Sequence, residues 1–490
     1  MRSASLSVAR LVLLAGPTAL AFFSGGYFDE ARTWAGLGAW VLVVVGLLLA
    51  PRPLPRRRDA WLALGGLALL AAWTLLSTVW APIAGNAWAA GQIAFLYLGA
   101  LLAAVVLIGS VGVQRLVEPA LAAGTVIVIG YGLAGRLVPG LLHFMSSVSA
   151  QGRLEQPLTY WNAMGEVAAI GLVLCVRVAG EVTRAVRLRT ASAAGAAVLG
   201  VGLYLSFSRG ALFACAAGLV TLVIAAGRRE QLRATLLCSA AAALAAAACA
   251  PFAGVTSLHG TISDREREGA IVLAALALVA LVAALGQRLA IRRERPAALG
   301  LPRRTPLVAV GLIGVGLALA IVVGAKETSA GSRPLPGGAT RLATLQSNRY
   351  AYWRVALRAF AVQPVHGVGA GGWSVYWLRW RTVSEFAQDA HSLPLQVLAE
   401  LGVVGLALLA VFLAGVALAA ARGLRVSSLA VGPVAGSVVY IVHSPLDWDW
   451  QMPAVTLIAI VMAGALLAIG EAPAIRLRGA VRTPKSGAAH

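Results

Sequence analysis

The stretch AQDAHSLPLQVLAELGVVGL, residues 387–406, sets one histidine directly before a long apolar run. The run continues to about residue 420 with Glu400 as its single charged residue, and about 20 apolar residues is the length that crosses a bilayer. Read as a span over 395–420, it places His391 where water meets lipid. The same pattern recurs along the whole chain. Of 490 residues, 59% are hydrophobic and 12% charged, mean hydropathy is +0.83, and a soluble domain carries about 25% charged residues. Only a helical, polytopic membrane protein fits, because isolated strands cannot satisfy their backbone groups in lipid.

We read about 14 candidate spans, near 11–28, 34–50, 61–80, 88–109, 117–138, 162–178, 191–207, 209–227, 233–252, 269–290, 306–324, 395–420, 427–443 and 454–470. The fold class is all-α, with about 12–14 transmembrane helices. Residues 1–324 form transmembrane helices with short loops, and 325–394 form one long extracytoplasmic loop carrying an amphipathic helix. Residues 395–470 hold the last spans and 471–490 a disordered cytoplasmic tail. The N-terminal segment has a basic start and an apolar stretch but no convincing cleavage site, so it reads as an uncleaved first helix. Cys175, Cys215, Cys238 and Cys249 all fall inside apolar runs, which predicts neither a disulfide framework nor a CxxC metal site.

The net charge of +21 sits in arginine clusters between spans, which argues against nucleic acid. Placing the N-terminus inside puts Arg52 with Arg56–Arg58, Arg177 to Arg189, Arg228 to Arg233, Arg288 to Arg304, Arg422 with Arg425, and the tail in the cytoplasm, as the positive-inside tendency requires. This predicts a multi-pass protein of the cytoplasmic membrane with both termini cytoplasmic. The orientation then sorts the unusual residues: His143, His259, His366, His391 and His443 all fall outside, with Arg153, Arg209, Arg349, Asp447 and Asp449. An active site on the outer membrane surface is the resulting expectation.

Arg209, in SFSRGALFA, stands at the outer end of a span. It is either a snorkelling anchor or a bidentate clamp for phosphate. Arg349, in SNRYAYWRVALRAF, follows a capping Ser347 or Asn348 and shares a helix face with Trp353, Ala356 and Phe360, whereas Arg354 and Arg358 point to the other side. A phosphate role for Arg349 competes with a structural salt bridge. His391 precedes Pro394 in the first turn of the next helix, whose positive end would keep the imidazole neutral and able to accept a proton. Glu400 is an ionisable group inside a span, a partner-orienting acid or a simple interfacial one. QGRLEQPLTYWNAMGEV (151–167) contributes Tyr160, Asn162 and Glu166, and HSPLDWDWQMP (443–453) sets Asp447 and Asp449 among tryptophans. Asp447 with Asp449, or Asp29 with Glu30, could pair on a metal, but no third ligand is evident and turn roles are preferred.

Together, SRGALFACAAGLV, NRYAYWRVALRAFAVQPVHGVGAGGW and DAHSLPLQVLAELGVVGL resemble the O-antigen ligase and polymerase superfamily, with the likeness running over about 150–465. The combination of Arg-Gly, a loop Arg, Pro-x-x-Gly-x-Gly and His before Leu-Gln-x-x-x-Glu-x-Gly carries it. The resemblance implies a GT-C-like membrane glycosyltransferase that moves a glycan from an undecaprenyl-diphosphate carrier to a glycan, lipid or protein acceptor at the outer face. It implies His391 as the base on the acceptor hydroxyl, Arg209 and Arg349 on the diphosphate, Tyr160, Asn162, Glu400 and Asp447 in support, and no metal or other cofactor. Ser392 and Pro394 stand where many relatives have Asn and an aromatic residue. The PLTYWNA and DWDW strings resemble actinobacterial members, whose cells generally lack lipopolysaccharide. A surface polysaccharide, wall polymer or glycoprotein acceptor is then in play. A polysaccharide polymerase would need the same groups. A transporter or flippase of lipid-linked glycans would instead show broken, charged helices near mid-membrane and paired halves, and an inactive scaffold would tolerate loss of His391.

Overall fold

The computed structural model describes residues 2–51, 54–302, 304–328, 342 and 347–471. The expected disordered tail lies outside the described residues, as do Arg52 and nearly all of the Gly/Pro/Ser-rich part of the long loop. Among the described residues seventeen α-helices follow one another. The first half comprises α1 (Arg2–Ala21), α2 (Asp29–Leu49), α3 (Arg58–Leu76), α4 (Ala84–Leu107), α5 (Val111–Leu137), α6 (Trp161–Gly180), α7 (Val186–Leu205) and α8 (Arg209–Ala226). Next come α9 (Arg229–Cys249), the short α10 (Ala253–Thr256), α11 (Ile262–Arg292) and α12 (Thr305–Thr328). The chain ends with α13 (Arg349–Val362), α14 (Trp373–Trp380), α15 (Leu393–Val426), α16 (Val431–His443) and α17 (Pro453–Gly470). Among the described residues there is no β-strand.

Twelve of these helices are long and apolar enough to cross a membrane, and Thr305–Gly316 and Ser428–His443 are shorter apolar helices. The first span sits earlier than its hydropathy suggests. Gly25 and Gly26 adopt positive φ and turn the chain after Ala21, so residues 22–28 connect helices instead of extending one.

Nearly every residue of α6 and of α17 is buried, and between their polar ends both helices are apolar on all sides, as a central position demands. The outer helices α2 and α11 instead expose Leu, Val and Ile. Lipid removes the usual hydrophobic drive for helix association, so close packing has to hold the helices. A Cβ on Gly66 of α3 would come 2.5 Å from the Phe412 nitrogen of α15, and one on Gly415 would come 2.4 Å from the Ala63 nitrogen. Only glycine permits that backbone approach.

The decisive departure from the sequence reading lies in α15. The run taken as one span, 395–420, is interrupted at Gly402, with φ 66° and ψ −165°. The freed backbone groups are taken up by the Pro-x-x-Gly-x-Gly segment. Val403 N–H donates to Pro364 O at 2.9 Å, Gly369 N–H to Glu400 O at 2.8 Å and Val368 N–H to Ala399 O at 3.0 Å. Non-helical backbone within a span is tolerable only where protein satisfies it in this way. Residues 393–401 therefore form a separate short helix braced on the 364–373 loop, and the membrane-crossing part begins at about Val403.

The two ends of the bundle differ chemically. At one end four buried or half-buried arginines are ion-paired: Arg177 pairs with Glu118 and Glu181, Arg184 with Glu118, Arg189 with Glu294, and Arg422 with Asp59. At the other end the connections after α1, α5, α14 and α16 converge. Tyr27 meets Gln388 and Trp448, and Tyr160 meets Asp447.

Candidate functional site

At that second end one carboxylate gathers four of the residues singled out from the sequence. Asp447, fully buried, accepts from Arg349 Nη2 at Oδ2 (2.7 Å) and from Tyr160 Oη at Oδ1 (2.7 Å). Its Oδ1 also takes the Trp448 N–H at 3.0 Å and lies 3.4 Å from His391 Nδ1. Asn162 Nδ2 donates to the Tyr160 hydroxyl at 2.7 Å. The sequence reading treated Asp447 as a support and weighed it as half of a metal pair. In the fold it is the hub, and Asp449 faces elsewhere.

Arg349 arrives on α13, where Ser347 Oγ accepts the Arg349 N–H at 3.3 Å. One face of α13 (Ala351, Tyr352, Val355, Ala356, Ala359) is buried against Trp373 and Trp377, while Arg354 and Arg358 are exposed. Trp353 Nε1 donates to the His391 carbonyl at 3.3 Å, so the Arg349–Trp353 face looks onto His391. The Arg349 side chain keeps 23% exposure. Arg349 is thus salt-bridged as well as accessible, combining two roles that the sequence set in opposition.

His391 lies in the turn before α15 with φ 50°, a left-handed conformation that costs free energy for a residue with a Cβ. The turn is held because Leu393 N–H donates to Ser444 O at 2.9 Å. The imidazole packs between Tyr352 and Trp448, at ring distances of 5.1 and 6.1 Å, and keeps 21% exposure. Burial lowers its pKa to about 4 despite the pull of Asp447. The sequence reading credited the helix end with neutralising the ring; in the structure desolvation leads, and the Arg349 charge adds to it. Burial would raise the Asp447 carboxyl, but Arg349 and then His391 hold it below its ordinary value. Burial, then Asp447, push the Tyr160 hydroxyl well above its ordinary range, so it remains a donor.

Arg209 opens α8 after the N-cap Ser208, whose Oγ accepts the Ala211 N–H. A Cβ on the next residue, Gly210, would lie 3.2 Å from His443 Cδ2, so the Arg209 turn abuts the segment leading to Asp447. Glu400 is placed differently from the expectation. Its Oε1 accepts from the Trp373 N–H at 3.3 Å and from Gln396 Nε2 at 3.5 Å. Because Gly402 bends α15, Glu400 faces the glycine loop and no bond joins it to His391.

A second buried cluster escaped the sequence reading. His443 Nδ1 lies 2.8 Å from Asp449 Oδ2 and 3.3 Å from Glu166 Oε2, and these three residues offer ligand atoms close enough together to hold a cation. The sequence signal was present: His443 and Asp449 flank one connection, and Glu166 lies one turn beyond Asn162. Nothing linear joined them.

Residues 255–410 match the family model described as O-antigen ligase. This span includes Arg349, His391, Glu400 and the glycine loop, whereas Tyr160, Asn162, Arg209 and Asp447 lie beyond it. The match supports the O-antigen ligase superfamily for this chain. It is narrower than the likeness over 150–465 read from the sequence. No curated protein matches the chain.

Proposed function

We propose that this chain, an O-antigen ligase-like multi-pass membrane protein, transfers a glycan from an undecaprenyl-diphosphate carrier to an acceptor hydroxyl at the outer face of the cytoplasmic membrane. The observation that carries the reading is the buried Asp447 holding Arg349 on one oxygen and standing beside the neutral His391 on the other. The arginine-rich, ion-paired end of the bundle suits the cytoplasm, which directs this site outward.

The chemistry follows from the groups. The Asp447 carboxylate 3.4 Å from Nδ1 favours a proton on that nitrogen, which leaves the other nitrogen as acceptor, the usual way a carboxylate biases a histidine tautomer. The acceptor oxygen attacks the anomeric carbon while His391 takes its proton. The carbon–oxygen bond to phosphate breaks, the diphosphate leaves with the electron pair, and configuration inverts. Arg349, with Arg209 from the adjoining turn, meets the charge that develops on the leaving group in a site of low dielectric. No step calls on a metal or another cofactor. The break at Gly402 is of a kind that transporters use, but its backbone groups are satisfied by the 364–369 loop, which favours the enzyme reading.

The test is the pool of polyprenyl-diphosphate-linked glycan in cells carrying wild type or His391→Ala at matched expression. Accumulated donor in the mutant supports transfer with His391 as base. An unchanged pool overturns it and returns weight to a scaffold or transporter.

A further inference from the structure

Glu166, His443 and Asp449 come from three separate elements and meet beneath the connection that carries Asp447. Glu166 lies in the second turn of α6, His443 is the last residue of α16, and Asp449 opens the 3-10 turn before α17. All three are buried, with 0%, 1% and 2% exposure. Their ligand atoms lie within 4.8 Å of one another, and His443 Nδ1 stands 2.8 Å from Asp449 Oδ2 and 3.3 Å from Glu166 Oε2. The transfer chemistry assigned above uses none of them.

The cluster is short of both positive charge and hydrogen-bond donors. Both Glu166 carboxyl oxygens and Asp449 Oδ1 are buried without a hydrogen-bond partner, and buried carboxylates in that state are costly. An imidazolium at His443 would bring one charge against two, and its Nδ1 proton would serve Asp449 Oδ2 and leave those oxygens unmet. A divalent cation removes both deficits. With a neutral imidazole and two carboxylates around it the net charge is zero, and the carboxyl oxygens can face the ion. The spacing agrees. Zinc bonds of about 2.0–2.2 Å to nitrogen and oxygen set neighbouring ligand atoms about 3.0–3.5 Å apart. The 3.3 Å pair fits as it stands, and the 2.8 Å pair needs only to open slightly. One imidazole with two carboxylates is a donor set that suits zinc, and the second Glu166 oxygen can fill a fourth position.

The ligands are also held from behind, as metal ligands characteristically are. Thr456 Oγ1 donates to the Asp449 carbonyl at 2.7 Å and shares a hydrogen bond of 2.9 Å with Tyr440 Oη. Tyr97 Oη donates to the Trp450 carbonyl at 2.6 Å. We propose that Glu166, His443 and Asp449 form a structural zinc site that fixes the 443–453 connection at the Asp447 end of the bundle. The ion clamps both flanks of Asp447, which stands four residues after His443 and two before Asp449. It also steadies the turn of His391, because Leu393 N–H donates to Ser444 O at 2.9 Å. The ion takes no step in glycan transfer, and the proposal stands apart from the transferase reading.

The experiment measures the metal content of full-length protein, produced with zinc in the medium, purified in detergent through a tag without histidines and dialysed against metal-free buffer. Wild type should carry about one zinc per chain by elemental mass spectrometry. Glu166→Gln and Asp449→Asn should each lower that about tenfold or more, at least the scale of losing a partner that supports a ligand. Asp447→Asn, which removes a neighbouring carboxylate that is not a ligand, should retain the ion. X-ray absorption at the zinc edge of wild type needs no variant to fold, and it should show one imidazole with oxygen ligands at about 2.0–2.2 Å. A wild-type chain without zinc would overturn the proposal and leave the carboxyl groups to share protons. Zinc retained in full by both ligand variants would place the ion elsewhere and overturn it too. So would sulfur in the absorption spectrum, which would move the ion to the buried cysteines Cys175, Cys215, Cys238 or Cys249.

Discussion

Arg349 and Asp447 lie 98 positions apart in the chain, yet Nη2 donates to Oδ2 at 2.7 Å and the carboxylate is wholly buried. The pair joins the amphipathic helix of the long loop to the last interhelical connection. A carboxylate in such a place requires a cation or donors, and Asp447 has Arg349, Tyr160 and Trp448. Arg349 therefore builds the site as well as facing its ligand.

Replacing Arg349 with lysine should remove nearly as much transfer activity as replacing it with alanine, because an ammonium cannot serve Asp447 and a phosphate through one planar fork. We expect a loss of about 100-fold or more in kcat/KM for either, on the scale of a lost transition-state charge contact. Reconstituted transfer assays with both variants would check this; full activity in the lysine variant would refute a planar-fork requirement.

On the same helix, Arg354→Ala should change activity by less than about twofold, since surface substitutions away from structural features are worth within about 0.5 kcal/mol. Arg354 is exposed while Arg349 and Trp353 engage Asp447 and His391. An equal loss at Arg354 in the same assay would show that the outer face of α13 also touches substrate.

The pH profile is set by His391. Its pKa is lowered to about 4, first by burial and against the attraction of Asp447, so the proton-accepting form persists at all pH values well above that. The rate should stay level from neutral pH down to about pH 5 and fall as the ring protonates near its lowered pKa. Asp447→Asn removes the charge that raises the imidazole, and should move the acid limb to still lower pH in kcat/KM profiles. A limb near the ordinary histidine value of about 6.5 would mean that the ring is solvated in the working enzyme.

Helical class and nearly every span were legible in the sequence, because apolar runs of bilayer length leave one structural solution. Arg349, His391, Tyr160 and Asn162 were legible as polar residues with no reason to sit at a lipid boundary. What was hidden was pairing. Asp447 reads as a turn residue in HSPLDWDWQMP until α13 brings Arg349 across to it. Glu166 and His443 are 277 positions apart, the difference of their residue numbers. The break in α15 was masked because Gly402 sits in an apolar run whose single charge is Glu400, and hydropathy does not report φ. The Pro-x-x-Gly-x-Gly string, noticed as a pattern, is its complement: backbone that fills the gap.

That complement makes Gly402 a sharp test. Its φ of 66° and ψ of −165° are open to glycine alone, and a Cβ would sit 2.2 Å from the Val365 oxygen. Gly402→Ala should lower stability by about 1–3 kcal/mol from backbone strain, before any clash is counted. Thermal unfolding in detergent should show a lower midpoint. An unchanged midpoint would mean that α15 runs straight through this position.

The His443 cluster yields a prediction of opposite character, about stability with no direct contact to substrate. Asp449 Oδ1 and both Glu166 carboxyl oxygens are buried without a hydrogen-bond donor, and His443 Nδ1 lies within 3.3 Å of both acids. Removing it in His443→Ala strands two carboxyl groups beneath the Asp447 connection, a change that costs about 3–5 kcal/mol when a buried charge loses its partner. His443→Gln, which restores a donor of similar reach, should recover part of the loss. The measurement is the unfolding midpoint of both variants in the same detergent, with and without a chelator for divalent ions. A midpoint for His443→Ala equal to wild type would show that the carboxyl groups share a proton with each other and do not depend on the imidazole. A wild-type midpoint that falls with chelator would show that a bound cation, held by these three side chains, supplies the missing positive charge.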